Sequence, residues 1–333
     1  MTSRRSLFLV LTLTFLCSRL SANKKDAEAA ALIEHAKQVS DIRMAGAPAF
    51  RLKLSFSIIK EDGSTEKGLY TEVWNSETQW RKETVLGDFR RTQVVAGRKR
   101  WLLDSATDAP EYLSDFLSLT NITGFQPESW KPQKVEDREL NGRSMRCLET
   151  NPNPWGGRSA LSFDKISGAI TAEVRPFQVG TRIGETVCFY NDYEKFGDRL
   201  LARSYECDKD KRRILEATVI ESAAASPAGE AFFTPPDGAK ESVNCLGPVK
   251  PPKAVHAPAP DAPRTSGGQA LVVMDITVGT DGKPHNLKVT SIPHHDFDEA
   301  ALQAVRQWTF KPATCDGEPV EAKIMVNLEF HLP

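Results

Sequence analysis

Two adjacent histidines and an aspartate, His294-His295-Asp296, are the residues whose types could ligate a metal ion. They sit where a strand pattern gives way to a helix pattern, and Asp296 already has a role as the helix cap, so solvated side chains are the expected reading and no metal is expected. Glu149 and Asp164 stand among strand patterns with nothing to pair them as an acid–base couple. The chain has no Gly-x-Ser-x-Gly turn, no phosphate-binding glycine loop, no His-Glu-x-x-His and no Cys-x-x-Cys. Catalytic residues are therefore none, no cofactor is implied, and the residues point to binding rather than to an enzyme.

Cysteine chemistry is the more informative. Phe196-Gly197 marks a hairpin turn, and Cys188 and Cys207 lie at nearly equal distances on either side of it. They should stand opposite each other on neighbouring strands, within disulfide reach. Cys147, Cys245 and Cys315 cannot be paired from spacing. Cys245 opens a proline-rich stretch and Cys315 falls in a turn, so a bridge between them would staple that stretch to the segment that follows. Two basic clusters, Arg98-Lys99-Arg100 and Lys209 to Arg213, read as solvated turns, with anionic lipid headgroups as the alternative. A formal net charge of −1 leaves no electrostatic footprint for nucleic acid, and none is expected as a partner.

The elements that position these residues begin after a leader. Met1–Arg5 is basic, Ser6–Leu16 is an apolar run and Ser21-Ala22 is small, which is the order of a secretory signal peptide over 1–22. The apolar run is shorter than the ~20 residues that a membrane span needs. Export to the periplasm is the expectation, and an inner-membrane anchor formed by an uncleaved N-terminus is the alternative. An exported chain can form disulfides.

Residues 26–244 read as one α+β domain. Helical periodicity covers 26–39, where Ala29, Ala30, Leu32, Ile33, Ala36 and Val39 recur at helical spacing, and again Pro110–Thr120. Between and after these helices, period-two alternation recurs at short intervals. Phe50–Ile58 and Lys67–Trp74 flank the turn Glu61-Asp62-Gly63-Ser64, and nine further short strands follow up to 220. The composition then breaks. From 245 to 268 there are six prolines, ending in Ser266-Gly267-Gly268, which predicts an extended, semi-rigid linker.

Residues 269–333 form a second, smaller unit with a ββαβ pattern. Ala270 to Val278 alternates, Thr280-Asp281-Gly282-Lys283 turns, and Asn286–Ile292 returns. Asp296 with Glu299 makes a capping box, and Phe297, Ala301, Val305 and Trp308 share a helix face. Lys311-Pro312 stops the helix, Cys315 to Glu318 turns, and Val320, Ala322, Ile324, Val326, Leu328 and Phe330 alternate without a break to Leu332. The reading is one helix over one face of a three-stranded antiparallel sheet.

Asp281-Gly282, Phe297-Asp298-Glu299-Ala300-Ala301-Leu302, Trp308, Phe310-Lys311-Pro312-Ala313 and Gly317-Glu318-Pro319-Val320, followed by the last strand, resemble the TonB C-terminal domain family over about 246–333. That family binds outer-membrane receptors by pairing a receptor segment with a sheet edge, which chemistry supports, since an edge offers unpaired N–H and C=O groups to an extended peptide. The resemblance implies a docking strand at Val320, Ala322, Ile324, Val326, Leu328 and Phe330, and as partner an outer-membrane receptor or another envelope protein. Residues 26–244, through Gly68 to Arg81 with Trp74 and Trp80 and the later Gly87-Asp88-Phe89, resemble the LolA/LolB-like lipoprotein-sorting fold, an antiparallel open half-barrel with helices over its mouth. That resemblance implies a cavity for lipid or an acyl chain, lined by Phe56, Tyr70, Trp74, Trp80, Trp101 and Leu102; the alternative is that these are ordinary core residues. A soluble periplasmic lipid or lipoprotein carrier is the second functional reading.

Overall fold

The computed structural model describes residues 24–120, 132–140, 143–153, 156–179, 182–247, 249–261, 269–290 and 295–331. The expected signal peptide and His294 lie outside them. Helix α1 covers 24–40; of its periodic apolar residues Ala29, Ile33 and Ala36 are buried, and Ala30, Leu32 and Val39 are half-buried. Then come β1 (Phe50–Ile59), β2 (Thr65–Ser76), β3 (Gln79–Leu86), β4 (Phe89–Ala96), β5 (Lys99–Asp104), α2 (Leu113–Leu119), β6 (Pro132–Leu140), β7 (Arg143–Thr150), β8 (Ala160–Asp164), β9 (Ile170–Val179) and β10 (Arg182–Asn191). They are followed by β11 (Glu194–Phe196), β12 (Arg199–Leu201), β13 (Ser204–Lys209), β14 (Arg212–Ala224) and β15 (Lys240–Val243). The remaining elements are β16 (Lys253–His256), β17 (Gln269–Val278), β18 (Pro284–Val289), α3 (His295–Arg306), β19 (Thr309–Lys311), β20 (Ala313–Cys315), β21 (Glu318–Val320) and β22 (Ala322–His331). Among the described residues no helix is long and apolar enough to cross a membrane.

The protein is mostly sheet. Thirteen strands form one open sheet in the order β15-β5-β4-β3-β2-β1-β14-β13-β10-β9-β8-β7-β6, which does not close on itself. The chain divides into two compact units. Of the described residues, the larger takes those up to Thr92 and those within 104–177 and 184–229; the second takes those within 93–103 and 178–183 and those from Glu230 on. The boundary expected at 244–245 falls inside the second unit.

In the larger unit, β1 alternates as its sequence dictates, with Phe50, Leu52, Leu54, Phe56 and Ile58 all buried. It pairs antiparallel with β2 on one side and β14 on the other. These side chains join Ile33, Ala36, Tyr70, Trp74, Leu113, Phe116 and Leu119 in one core. Each large apolar side chain that is fully buried there stabilises by roughly 1.5–3 kcal/mol.

In the second unit, β18-β17-β22 forms a three-stranded sheet. Val272, Met274, Ile276 and Val278 of β17 and Val326, Leu328 and Phe330 of β22 point to one face. There they pack with Phe297, Ala301, Ala304 and Val305 of α3, and the Phe297 and Phe330 rings meet edge to face at 5.0 Å. Three details differ from the sequence reading. Helix α3 begins at His295, so Asp296 lies inside its first turn rather than at the cap. Helix α3 ends at Arg306, so Trp308 lies beyond it, half-buried against the same core. Val320 does not belong to the last strand. It closes β21, which pairs with β20 (Ala313↔Val320, Cys315↔Glu318) across Asp316-Gly317, both at positive φ. Unbroken alternation hides this, because a strand can end and another begin without disturbing a period of two.

Candidate docking edge and the aromatic core

β22 pairs with β17 over ten positions, from Gln269↔His331 to Val278↔Ala322. Among the described residues no strand pairs with its other side, so it presents a row of main-chain N–H and C=O groups. The opposite edge, β18, is blunted. It starts with Pro284, which has no N–H to donate, Asn286 stands at φ 49°, and its register against β17 shifts between Asp275 and Thr277. The sheet therefore has one regular edge and one irregular edge.

The structure reassigns the side chains expected at the docking strand. Val326, Leu328 and Phe330 are buried under α3, and Ala322 and Ile324 are half-buried. Residues between them, Lys323, Met325, Asn327 and Glu329, are the exposed ones. Docking at this strand would use its backbone and that second face, on which Met325 is 56% exposed and Leu271 of β17 is 44% exposed.

The β17–β18 turn supports the sheet. Asp281 accepts hydrogen bonds from the Lys283 amide at 3.0 Å and from His285 Nε2 at 3.1 Å. Those two contacts, the amide first, hold its carboxyl below the usual range. Gly282 adopts φ 74°, and a Cβ there would clash with the Phe310 carbonyl oxygen. Phe310 in turn donates its amide to the Gly282 carbonyl at 2.8 Å, which ties β19 to the turn. Glycine is required on both counts.

Of the residues expected to line a cavity, Phe56, Tyr70 and Trp74 are 3%, 0% and 5% exposed, and Trp80 packs partly buried against the same core. Trp101 and Leu102 are not with them. They lie on β5 in the second unit, opposite Glu241 and Lys240 of β15. The aromatic group is filled rather than hollow. Phe116 of α2 stacks on Phe56 with ring centroids 3.9 Å apart and meets Tyr70 at 5.8 Å, while Trp74 stacks on Phe50. A cleft elsewhere in this unit, lined by Ile42, Pro48, Phe196 and Arg199, is too small to enclose an acyl chain.

Sequence reasoning missed a charged cluster inside this core. Arg43 Nε donates to Glu72 Oε1 at 2.8 Å, and its other guanidinium nitrogen contacts Oε2. The Tyr70 hydroxyl donates to Glu72 at 2.9 Å, and Lys82 lies 3.5 Å away. Burial alone would raise the Glu72 pKa, but Arg43 and Lys82 override it and hold the carboxyl well below its usual range. The available signal was register: Tyr70, Glu72 and Trp74 share one face of β2, so a carboxylate was being turned inward and needed a cation.

The cysteines pair. Cys188 and Cys207 are directly opposite on β10 and β13 and form a disulfide with both residues fully buried. Cys245 and Cys315 form a second, and Cys147 is free and buried. His295 is the first residue of α3, and the described residues contain no group of three or more metal-ligating side chains.

Residues 260–332 match the Gram-negative bacterial TonB protein C-terminal family. Protein TonB from Xanthomonas campestris pv. campestris strain B100 is 30% identical over 92 residues, covering 27% of this chain and 37% of that protein, and the protein of strain ATCC 33913 matches equally. The chain thus spans well under half of those relatives. The TonB-like segment contains the whole β18-β17-β22 sheet and α3. Among solved structures, a LolA superfamily protein from Nitrosomonas europaea covers 62% of this chain and 97% of its own at 10% identity, with a TM-score of 0.42. MucB covers 74% of this chain and 72% of its own at 13% identity, with a TM-score of 0.30.

Proposed function

We propose that this chain is an exported, non-catalytic protein of the cell envelope whose TonB-like segment captures an extended segment of an outer-membrane receptor, or of another envelope protein, by adding it to β22. The observation that carries the reading is the asymmetry of the sheet: a ten-residue strand with a regular open edge on one side, and an edge blunted by proline, a bulge and a positive φ on the other. A match to the TonB C-terminal family over this same segment supports it. Main-chain pairing would supply affinity, and the exposed Lys323, Met325 and Asn327 would meet alternate side chains of the added strand. Hydrogen exchange on the full chain mixed with a synthetic peptide from the periplasmic N-terminus of an outer-membrane receptor tests it. Added protection at 322–331, with none at 284–289, is expected. Protection at β18 alone, or at neither edge, would overturn it.

A second reading concerns the larger unit. Helix α2 is seven residues long, starts after Tyr112 at φ 60°, and fills the space over Phe56 and Tyr70 with one ring, that of Phe116. Withdrawal of that ring would open an apolar site suited to an acyl chain, as a periplasmic lipid carrier needs. Native mass spectrometry of the chain purified without detergent tests this: co-purified lipid supports it, and a bare chain after incubation with phospholipid vesicles counts against it.

A further inference from the structure

The proline-rich segment is not free in the structure. Lys250 and Thr314 exchange two backbone hydrogen bonds, at 2.8 and 3.0 Å. β16 then pairs with β19, placing Lys253 opposite Lys311, Ala254 opposite Phe310 and His256 opposite Thr309. Farther on, Trp308 Nε1 donates to the Pro258 carbonyl at 3.0 Å. At the near end, Cys245 is bonded to Cys315. The segment is thus a strap laid along β19.

What holds it is uneven. All four residues of β16 are exposed, and Val255 is 73% exposed, so the strap buries little apolar surface. A two-stranded pairing standing alone is marginal in water. Its register is interrupted between Ala254 and His256, and it sets two lysines directly opposite each other, which opposes pairing. By contrast, the chain just before the strap has its own ties: β15 pairs with β5, and Asn244 bonds to the Gly97 and Arg98 carbonyls. Between the firm β15 and the weakly held β16, the bridge is the covalent fixing point. Its two sulfurs are unequally placed. Cys315 is fully buried among Ala313 and Val320, whereas Cys245 is partly exposed.

We propose that the Cys245–Cys315 bridge is a redox-operated clasp: closed, it holds the strap over the edge of β19; reduced by a dithiol, it lets residues 249–258 go and uncovers that edge and the Trp308 indole. In the opening step a thiolate of the dithiol attacks Cys245 Sγ. The Cys245–Cys315 bond breaks, and Cys315 leaves as thiolate and takes up a proton. The second thiol of the reductant then displaces Cys245, which is also left as a thiol, and the reductant departs as its own disulfide. Two electrons pass from dithiol to bridge. This inference stands apart from docking at β22.

The test is hydrogen exchange on the full chain, air-oxidised and with its bridges mapped by non-reducing mass spectrometry, beside the C245S/C315S variant, which leaves Cys188–Cys207 in place. Expected are the mapped bridge in the oxidised chain and, in the variant, exchange faster by about tenfold or more at the Lys250 and Thr314 amides and the Trp308 indole, with β17 and β22 amides unchanged. Dithiothreitol should reproduce the change in the unmutated chain, and reoxidation should reverse it. Strap protection equal in both forms would overturn the proposal. So would a mapping that finds Cys245 and Cys315 unbonded, or a loss of protection throughout β17 and β22, which would make the bridge a staple of the fold rather than a clasp on the strap.

Discussion

Arg43 and Glu72 face each other inside the larger unit, with Arg43 Nε 2.8 Å from Glu72 Oε1 and the Glu72 side chain wholly out of solvent. Removing one partner of such a pair strands the other. Breaking a buried ion pair in this way costs about 3–5 kcal/mol, and Glu72→Gln, which keeps an acceptor for the guanidinium, should fall toward the lower end. The pH dependence follows from direction. Glu72 is held below the unfolded value of 4.5, so its contribution is complete above about that pH and is lost as the pH falls toward about 2. Thermal melts of the parent and Glu72→Gln should therefore differ most at pH 6–7 and converge in acid. Glu173, whose carboxyl burial raises, acts with the opposite sign, but it is present in both proteins and cancels in the comparison. A gap that stays constant from pH 7 to pH 3 would show that the pair does not titrate with the fold.

Phe116 is a single ring that fills the space between Phe56 and Tyr70. Phe116→Ala should destabilise by about 3–5 kcal/mol, the usual range for an aromatic truncated in a core. It should also leave an apolar void that takes up a small hydrophobic probe. Urea denaturation gives the first quantity and binding of an environment-sensitive dye to the native variant gives the second. Destabilisation without dye binding would mean that the core collapses into the gap.

Gly282 carries the close approach between the β17–β18 turn and β19. Gly282→Ala combines an unfavourable φ with a clash against the Phe310 carbonyl, and should cost on the order of 1–3 kcal/mol. The damage should be local: exchange at the Phe310 amide, which bonds to Gly282, should rise more than exchange in the middle of β17. Equal loosening of both would place the turn within the cooperative core.

How far such features were legible in the sequence depends on the range of the interaction. The alternation of Val272 to Val278 and of Val326 to Phe330, and the helical stripe Phe297, Ala301 and Val305, are local patterns with one physical reading, and the structure has them. Cys188 opposite Cys207 was equally legible, because a hairpin turn sets register by counting. The strap was not. Proline-rich composition reads as solvated chain, and nothing local in Lys253–His256 announces a three-residue partner about 55 positions away. Trp101 misled for a related reason: an aromatic side chain beside a basic run suits a cavity wall and an outer strand alike, and only non-local pairing with β15 separates the two. Glu72 lay between, visible as an inward carboxylate yet with a partner that only the fold supplies.

Val326 and Met325 are neighbours on β22 with opposite duties, which makes them the sharpest comparison at the candidate edge. Val326 is 9% exposed and belongs to the core under α3, whereas Met325 is 56% exposed on the other face. Val326→Ala should lower stability by about 1–2 kcal/mol through lost burial and an incompletely closed cavity. Met325→Asp, at a surface position, should change stability by no more than about 0.5 kcal/mol. Binding should rank them the other way. A strand added to β22 places its side chains beside Met325, so a carboxylate there should weaken capture of an apolar receptor peptide several-fold, while Val326→Ala leaves the affinity of the folded fraction unchanged. Calorimetric titration of both variants at a temperature where each is folded reads this directly. If Val326→Ala lost affinity and Met325→Asp did not, the partner would be engaging the core side of the domain, and β22 would be no more than a structural strand.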